Sequence, residues 1–312
     1  MFLQMSQSLT RRSLLGTSLL AGASALLPSS QTPAPKRQLR IAHLTDTHIT
    51  TESKAQLGFQ KALEAAQSLD PKPDYILFGG DEIMDAFVAD ESKTKAQWDS
   101  YNSVKKANLE IPAIHTIGNH DIWGWNKSSS QTSGQEAKWG KNWCMEQFQI
   151  SKPYHSVTKN NWKIIVLDST YPSGSGYTAK LDEPQFEWLE NELKSTPKET
   201  NILLSSHIPL LCVCGFVDGD NAKSGNWVVP GSWMHIDFLR LKNLFHNHPN
   251  VKAAVSGHMH QVDMANFLGV DYYCNGAVSG AWWGGNYYEF GPGFAVIDLF
   301  DDGSVTNIYQ SY

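Results

Sequence analysis

The sequence has no surplus of basic residues, few charged residues overall and no apolar run long enough to span a membrane. Lys and Arg number 25 against 31 Asp and Glu, so the formal net charge is −6. The basic footprint of a nucleic-acid-binding protein is therefore missing, and we expect no nucleic-acid polymer as a partner. Charged residues make up 18% and hydrophobic residues 41% of the 312 positions. This balance argues against a disordered chain, a coiled coil and a multi-span membrane protein, and it indicates a globular protein.

The four cysteines match no zinc or redox motif. Cys212 and Cys214 are separated by one residue, and Cys144 and Cys274 lie far from them in the sequence. An oxidising compartment would permit disulfides, and four cysteines allow three pairings. Because no second thiol pair lies nearby in the sequence, we expect buried or structurally bridged cysteines.

The N-terminal segment has the pattern of an export signal. Residues 10–15 (TRRSLL) resemble a twin-arginine signal, and residues 14–27 form a mild apolar run. That run is too short for a transmembrane helix and suits the hydrophobic region of a signal peptide. We predict a signal peptide over residues 1–27, a linker over 28–38 and one domain over 39–312. The twin-arginine export machinery is then a partner, and the location is periplasmic or extracellular; an uncleaved anchor is the alternative.

Five short apolar runs recur along the chain, and each leads into polar residues of the kind that form functional sites. The polar blocks are residues 45–48 (TDTH), 79–81 (GGD), 118–121 (GNHD), 205–207 (SSH) and 256–260 (SGHMH). Short apolar runs bounded by glycine and polar turns are typical of buried strands.

Helical patterns separate these strands, and the alternation indicates an α/β fold. Helices are predicted over residues 56–68, 98–108 and 233–245, and around Phe186, Leu189 and Leu193 with Asp182 as N-cap. A hairpin is predicted around residues 159–161, and further strands over 262–267, 270–274, 294–299 and 305–309. We therefore predict four layers in the order αββα, with two mixed β-sheets packed face to face and flanked by helices.

Two long polar loops each follow a site-like block. One covers residues 126–137 and the other residues 213–232. Long loops in a compact domain are usually functional or mobile, so both are predicted to act as lids over a cleft.

Seven side chains in the polar blocks are candidate metal ligands. Ligands of open α/β sheets bind beyond the carboxyl ends of the strands, so the blocks are expected to converge on one rim. The set comprises Asp46, His48, Asp81, Asn119, His207, His258 and His260. Carboxylates, imidazoles and an amide without a thiolate suit Zn, Mn or Fe. Seven ligands are too many for one such ion and predict two divalent ions, about 3.5–4 Å apart with a bridging carboxylate, whose residual positive charge would attract an anionic phosphate.

The same blocks resemble the calcineurin-like metallophosphoesterases in order and approximate spacing, from residue 41 to residue 260. The Asp-x-His form of the first block is most similar to the cyclic-nucleotide phosphodiesterase-like subgroup. The resemblance implies the sandwich fold of that family and in-line attack on phosphorus by a metal-bound hydroxide. It also implies one metal held by Asp46, His48 and His260, a second held by Asn119, His207 and His258, and Asp81 as the bridge.

His120 is implied by the same resemblance to be catalytic, contacting a phosphoryl oxygen or protonating the leaving alkoxide. Such a histidine needs an acid that keeps it charged and aimed. The family often has a second Asp three residues after the bridging one, whereas here Asp85 is four residues after Asp81. Asp85, Asp121 and Glu82 therefore all stay open as the partner that orients His120.

Other residues near the blocks have a structural interpretation. His43 and His115 lie within strands, and Asp218 and Asp220 lie in a Gly-rich loop where a turn role is expected. For the tryptophans beside the blocks, stacking of a substrate ring and packing of Gly-rich loops both stay open. These are Trp123, Trp125, Trp227, Trp282 and Trp283.

Taken together, these features predict an exported two-metal phosphoric ester hydrolase. The leading interpretation is a phosphodiesterase that acts on a nucleotide-like or other small phosphoester. A phosphomonoesterase, or a hydrolase of lipid or sugar nucleotides, would use the same metals and is the alternative. A non-catalytic metal-binding protein is a third possibility, against which the presence of every predicted ligand and of His120 counts.

Overall fold

The structure, a computed structural model, describes residues 33–312 of the chain. The predicted signal peptide and the first five positions of the predicted linker, residues 28–32, lie outside the described residues. The first strand begins at Arg37, so the last two positions of the predicted linker belong to a sheet. Within the described part of the chain, no helix combines the length and the apolar character needed to cross a bilayer.

The described chain alternates between strands and helices. The strands are β1 (Arg37–Leu44), β2 (Tyr75–Phe78), β3 (Ala113–His115), β4 (His155–Lys159), β5 (Trp162–Leu167), β6 (Thr170–Ser173), β7 (Gly176–Ala179), β8 (Asn201–Ser206), β9 (Ala222–Lys223), β10 (Asn226–Trp227), β11 (Val251–Ser256), β12 (Asp263–Phe267), β13 (Val270–Cys274), β14 (Gly293–Phe300) and β15 (Val305–Ser311). The helices are α1 (Ser53–Gln67), α2 (Glu91–Asn108), α3 (Lys127–Ser130), α4 (Asn142–Phe148), α5 (Glu183–Ser195), α6 (Cys214–Val217) and α7 (Phe238–His246), and a 3-10 turn covers Asn119–Asp121.

Two mixed sheets form the centre of the fold. One has the strand order β15-β14-β1-β2-β3 and the other the order β12-β13-β11-β8-β5-β4. The strands that precede the polar blocks are parallel within each sheet: β1 to β2 to β3, and β8 to β11. Antiparallel strands form the other edge of the first sheet and both edges of the second, including the predicted hairpin of β4 and β5. The five predicted strands before the blocks and the α/β fold class are confirmed.

The two sheets pack face to face through a shared core. In β1, Leu39 and Ile41 point into this core together with Trp162 and Leu203 of the second sheet. Alternate residues of β1 point the other way, because successive side chains of a strand lie on opposite faces. These include Leu44, which packs under α1 and α2 with Phe59 and Trp98 among others. Helices α5 and α7 cover the outer face of the second sheet, which gives the predicted αββα layers.

Most predicted helices are confirmed, with shifted ends. Helix α2 starts seven residues before the predicted position 98, because the side chain of Asp90 accepts a hydrogen bond from Lys93 N and caps it. Asp182 caps α5 as predicted, accepting from Gln185 N.

The helix predicted over residues 233–245 is wrong at its start, since α7 begins only at Phe238. In the turn before Phe238, two backbone N–H groups donate to carbonyl oxygens of other segments. His235 N donates to Pro209 O, and Ile236 N donates to Ala179 O. These bonds tie residues 235 and 236 to two other segments, and the chain becomes helical only from Phe238.

Candidate binuclear metal centre

The seven side chains predicted as metal ligands meet at one edge of the two sheets. Each lies in the segment that follows the carboxyl end of β1, β2, β3, β8 or β11. Since parallel strands of one sheet end at the same edge, the sequence blocks are brought together from both sheets. The ligand atoms of six of these residues fall into two groups of three that could each hold an ion, and Asn119 borders the second group.

The first group consists of Asp46, His48 and His260. Asp46 Oδ1 lies 3.3 Å from His260 Nε2 and 3.8 Å from His48 Nε2. The two imidazole nitrogens are themselves 3.1 Å apart. All three side chains are buried. The three ligand atoms therefore face one another with little solvent between them.

The second group contains Asp81, His207 and His258. Asp81 Oδ2 lies 3.2 Å from His207 Nε2, which is 3.3 Å from His258 Nδ1 and 3.2 Å from Asn119 Oδ1. The same carboxylate oxygen of Asp81 is 3.8 Å from His48 Nε2 of the first group. Asp81 thus lies between the two groups, where a bridging ligand is needed.

The surroundings of Asp46 suit a cation. Its Oδ2 accepts hydrogen bonds from Thr45 Oγ1 and from His258 N, at 2.6 and 2.9 Å. Its Oδ1 is buried and makes no hydrogen bond of normal geometry within the described residues, although the His260 ring is close. A buried carboxylate oxygen without a partner is costly unless it binds a positive charge. The donor set therefore fits a metal ion at this position.

Carbonyl groups fix two of the rings. His207 Nδ1 donates to Gly79 O at 2.9 Å, and His260 Nδ1 donates to Gly280 O at 2.6 Å. Each bond orients the imidazole so that Nε2 faces the group, which is the usual role of the second hydrogen bond of a metal-binding histidine.

The two carboxylates of the centre change the pKa values of the histidines around them. Burial alone would lower the pKa of His207, but the carboxylates of Asp81 and Asp46 outweigh it and raise that pKa to about 10. Burial and the charge on His207 lower the pKa of His258 to about 3. Burial also lowers the pKa of His48 to about 4. A protonated His207 thus supplies the positive charge that a bound dication would replace, because metal ligation requires neutral imidazoles.

The backbone at the ligands adopts the left-handed conformation that side chains other than glycine rarely take. This holds for five of the seven proposed ligands. Their φ angles are 54° at Asp46, 46° at His48, 55° at Asp81, 71° at His258 and 55° at His260. Such a conformation costs about 1–2 kcal/mol per residue, so the surrounding structure must enforce it. Bonds between the blocks, such as Asp46 N to Gly80 O at 2.9 Å, do so.

A pocket of about 270 Å³ opens above the two groups. Besides ligands and His120, its wall is aromatic, with Asp218 as a further charged residue. The wall residues are Tyr177, Asp218, Trp233, Met259, Trp282 and Tyr287. Loop 213–232 therefore reaches the pocket through Asp218, whose carboxylate accepts from the Tyr287 hydroxyl at 3.0 Å. The turn role predicted for Asp218 is incomplete, and no described residue of loop 126–137 lines this pocket.

A family comparison identifies the arrangement. The model of the calcineurin-like phosphoesterases matches residues 39–262, which include all five polar blocks. The chain belongs to the calcineurin-like phosphoesterase family. It is therefore a phosphoesterase, and the family depends on two divalent metal ions, which agrees with the two groups of potential ligands.

Curated relatives fall in the same family. The chain is 26% identical over 238 residues to the 3′,5′-cyclic adenosine monophosphate phosphodiesterase CpdA of Escherichia coli, covering 73% of this chain and 72% of CpdA. It is 24% identical over 286 residues to a 3′,5′-cyclic-nucleotide phosphodiesterase of Nostoc, covering 87% and 91% of the two chains. A solved dimetal phosphatase from Danio rerio superposes with a TM-score of 0.56 at 12% identity, covering 89% of this chain and all of that one. The last comparison supports the fold alone.

The partner of His120 is not an acid, and this corrects the sequence prediction. His120 Nδ1 lies 2.6 Å from Met84 O. A carbonyl oxygen only accepts, so Nδ1 carries the proton and Nε2 is the atom that faces the pocket. His120 Nε2 is 4.0 Å from Asp81 Oδ2. A backbone atom cannot be recognised from residue types, which is why sequence reasoning missed it.

The three predicted orienting acids are used elsewhere in this phosphoesterase. Asp121 accepts from the backbone N–H groups of Asp81, Glu82 and Gly118 at 2.9 Å each, so it holds the loop that carries Asp81. Glu82 is buried beside Thr47, its Oε2 3.4 Å from Thr47 Oγ1. Asp85 accepts from Val88 N at 3.1 Å. Neither Asp85 nor Asp121 is therefore placed to aim His120.

Replacing Asp85 by asparagine is expected to change kcat by less than about threefold, because the amide oxygen can still accept from Val88 N and no contact with His120 is lost. Steady-state kinetics on a phosphodiester measures this. Asp90→Asn is the matched control, since Asp90 makes the same kind of bond at the start of α2. A loss above 100-fold in Asp85→Asn alone would restore Asp85 as the partner of His120.

The tryptophans near the blocks occupy different positions relative to the pocket. Trp282 lines the pocket and packs against the His260 ring at 4.4 Å between centroids. Trp283 packs inward, donating to His48 O at 2.9 Å, and Trp123 is buried and donates to Ala89 O. Trp227 is 62% exposed, away from the pocket wall. The aromatic wall also includes Tyr177 and Tyr287, for which the Gly-rich segments around residues 174–176 and 284–291 were the available sequence signal.

Proposed function

We propose that this phosphoesterase hydrolyses phosphodiesters, with a nucleotide-like or other small ester as substrate. One observation carries the preference for diesters: within the described residues no Lys or Arg lines the pocket, and Asp218 adds a negative charge to its wall. A phosphomonoester carries nearly two negative charges at neutral pH, whereas a diester carries one. The metal ions alone can balance the single charge of a diester. The cyclic-nucleotide phosphodiesterases among the relatives support the same choice.

We assign the ligands of the two ions as follows. Asp46, His48 and His260 bind one, Asn119, His207 and His258 bind the other, and Asp81 bridges them. The nitrogen and oxygen donors suit Mn, Fe or Zn. When bound, two such ions would neutralise phosphoryl oxygens and activate a water molecule for attack.

His120 completes the site on the substrate side. Its Nε2 faces the pocket, while the bond from Nδ1 to Met84 O holds the ring in place. From there it can donate a hydrogen bond to a phosphoryl oxygen or a proton to the leaving oxygen. Asp81 Oδ2 lies 4.0 Å from His120 Nε2, so His120 stands directly beside the metal groups.

The test compares a diester with a monoester on the same metal-loaded protein. We expect kcat/KM for bis-p-nitrophenyl phosphate to exceed that for p-nitrophenyl phosphate by at least tenfold, and 3′,5′-cyclic AMP to be hydrolysed. A preference for the monoester would instead support the phosphomonoesterase alternative. Hydrolysis of neither ester nor of a sugar nucleotide, with both ions bound, would support a non-catalytic metal-binding protein.

Trp282 is expected to bind the substrate's planar group, since its ring lies beside His260 and is 43% exposed at the pocket. Trp282→Ala should raise KM for 3′,5′-cyclic AMP by about tenfold or more, because stacking on a base contributes about 1–3 kcal/mol. Trp282→Phe should recover much of this loss. Trp227→Ala removes an exposed tryptophan outside the pocket wall and serves as control. An unchanged KM in Trp282→Ala, with metal content intact, would rule out stacking.

We also propose that the protein is exported through the twin-arginine machinery. The proposal is supported by the sequence of residues 10–15, which lies outside the described residues. Replacing Arg11 and Arg12 together by lysine is expected to retain an uncleaved chain in the cytoplasm, as measured by cell fractionation and N-terminal sequencing. Normal export and cleavage of that variant would contradict the proposal.

A further inference from the structure

A third group of metal-ligating side chains lies beside the pocket, separate from the seven residues of the binuclear centre. Cys212, Cys214 and Asp263 each offer one ligand atom, and these atoms all lie within 4.8 Å of one another. The two cysteines follow β8, and Asp263 begins β12 about fifty residues later. Sequence spacing alone indicated no motif here, because the third ligand comes from another strand.

The two thiols belong to a small buried cluster. It also contains Cys274 at the end of β13 and Met259, which lies between His258 and His260. Cys274 Sγ lies 3.3 Å from Gly257 O, to which it donates. All four cysteines of the chain are free thiols and buried, so the structurally bridged interpretation from the sequence is not realised.

Only one of the two carboxylate oxygens of Asp263 is hydrogen-bonded. Its Oδ2 accepts from Val213 N at 2.7 Å and from Cys214 N at 2.5 Å. Its Oδ1 is buried and has no hydrogen-bond partner within residues 33–312. Burying an unpaired carboxylate oxygen is unfavourable unless a cation is bound to that carboxylate. This oxygen is an observation independent of the thiol cluster, and it points to a ligand.

The thiols are protonated when no ion is present. The hydrogen bond between Cys212 and Cys214, together with burial, raises the pKa of Cys212 well above its usual range. A bound dication favours the deprotonated thiolates instead, because it binds thiolates and thereby lowers the pKa of the cysteines. Two thiol protons would then leave to solvent as the ion enters.

We propose that Cys212, Cys214 and Asp263 bind a third metal ion, of the thiophilic zinc type, with Cys274 next to Cys214 as the fourth side chain. Zn–S bonds of about 2.3 Å in tetrahedral geometry bring ligand atoms to about 3.8 Å from one another. The ligand atoms of Cys212, Cys214 and Asp263 lie within 4.8 Å of one another, so an ion would draw these three about 1 Å closer together. Thiolates distinguish this site from the nitrogen and oxygen ligands of the binuclear centre.

The ion would connect two parts of the pocket wall. Cys214 is the first residue of α6, and the loop that follows carries Asp218 to the pocket. Asp263 fixes the start of β12, three residues after His260. The third ion therefore stabilises the loop that shapes the substrate pocket, without touching the substrate.

Cobalt provides a probe with a readout besides activity. The full chain, reduced and freed of metal, is titrated with Co²⁺ under anaerobic conditions. We expect three equivalents to bind and an intense thiolate-to-cobalt charge-transfer band to appear in the near ultraviolet. Cys212→Ser and Cys214→Ser should each lose the band and keep two equivalents, and Asp263→Asn should weaken band formation at least tenfold. Cys144→Ser is the matched control, a buried cysteine in α4 outside the cluster, and should keep the band.

Two results would overturn the proposal. In the first, the wild-type protein binds only two equivalents of Co²⁺ and shows no charge-transfer band, although a thiol count on the denatured protein confirms four reduced cysteines. The other is loss of the band in Cys144→Ser to the same extent as in Cys214→Ser. Circular dichroism and the two remaining equivalents verify that each variant is folded. If wild type counts two thiols before reduction and forms the band only after it, the site is present and oxidation blocks it.

Discussion

Replacing His120 by asparagine is expected to lower kcat on a phosphodiester by about 10²–10⁴-fold, the usual contribution of a positioned proton donor. Both metal ions should stay bound, because the His120 ring is held by Met84 O and belongs to the substrate side of the pocket. Asparagine preserves the size and polarity of the side chain but has no titratable nitrogen that could pass a proton to the leaving oxygen. Steady-state kinetics and metal analysis of the same preparation measure both effects.

The nature of the leaving group sharpens this experiment. A good leaving group such as p-nitrophenolate needs little protonation, so the loss in His120→Asn should be smaller with bis-p-nitrophenyl phosphate than with an alkyl diester. His246→Asn, an exposed histidine at the end of α7, controls for the loss of an imidazole as such. Equal activity of His120→Asn and wild type on both esters would show that another group protonates the leaving oxygen.

Asp81→Asn is expected to remove most of the metal and with it nearly all activity. The Asp81 carboxylate lies 3.2 Å from His207 Nε2 and 3.8 Å from His48 Nε2, one residue from each group. Its negative charge would therefore attract both ions, whereas each of the other six proposed ligands would bind only one. Changes outside the ligand shell already weaken metal binding by about 10–100-fold, so loss of a bridging charge should exceed the upper end of that range. Metal analysis after dialysis and isothermal titration with Mn²⁺ measure the loss.

A second acidic residue of the same pocket controls for charge alone. Asp218→Asn removes a negative charge from the wall but touches neither group of ligands, so two metal equivalents should remain. Because bound metal stabilises the native state by mass action, Tm of wild type should rise on metal addition and Tm of Asp81→Asn should not. Retention of two tightly bound ions in Asp81→Asn would show that Asp81 does not bridge.

Local sequence patterns were sufficient to predict the features that depend on which residue types are present. The runs that became β1, β2, β3, β8 and β11 are apolar, short and bounded by glycine, and few other structures accommodate such runs. The polar blocks that follow these strands contain the histidines and aspartates themselves. Their meeting at one site could be predicted because parallel strands of a sheet end at the same edge. The N-cap of α5 was equally local, since Asp182 and Gln185 N are three residues apart.

Prediction failed where a backbone atom or a distant segment decides the outcome. The Met84 carbonyl orients His120, and any residue type would present a carbonyl at that position. The turn before α7 is held by bonds to Pro209 and Ala179, two segments that the local sequence of residues 233–237 does not reveal. Asp218 reaches the pocket because the Tyr287 hydroxyl, from a segment almost seventy residues away, binds its carboxylate.

The sequence by itself determined the strands, the family and the set of candidate metal ligands, because these depend on short patterns and on which side chains are present. Tertiary structure alone decided how those side chains face each other. The left-handed backbone at Asp46, His48 and Asp81 is unfavourable in isolation and persists only through bonds between the blocks. The same holds for the group of Cys212, Cys214 and Asp263, since Asp263 at the start of β12 meets the two cysteines only in the folded chain. Contacts between residues far apart in the chain have no local signature, so packing of the two sheets is what sets them.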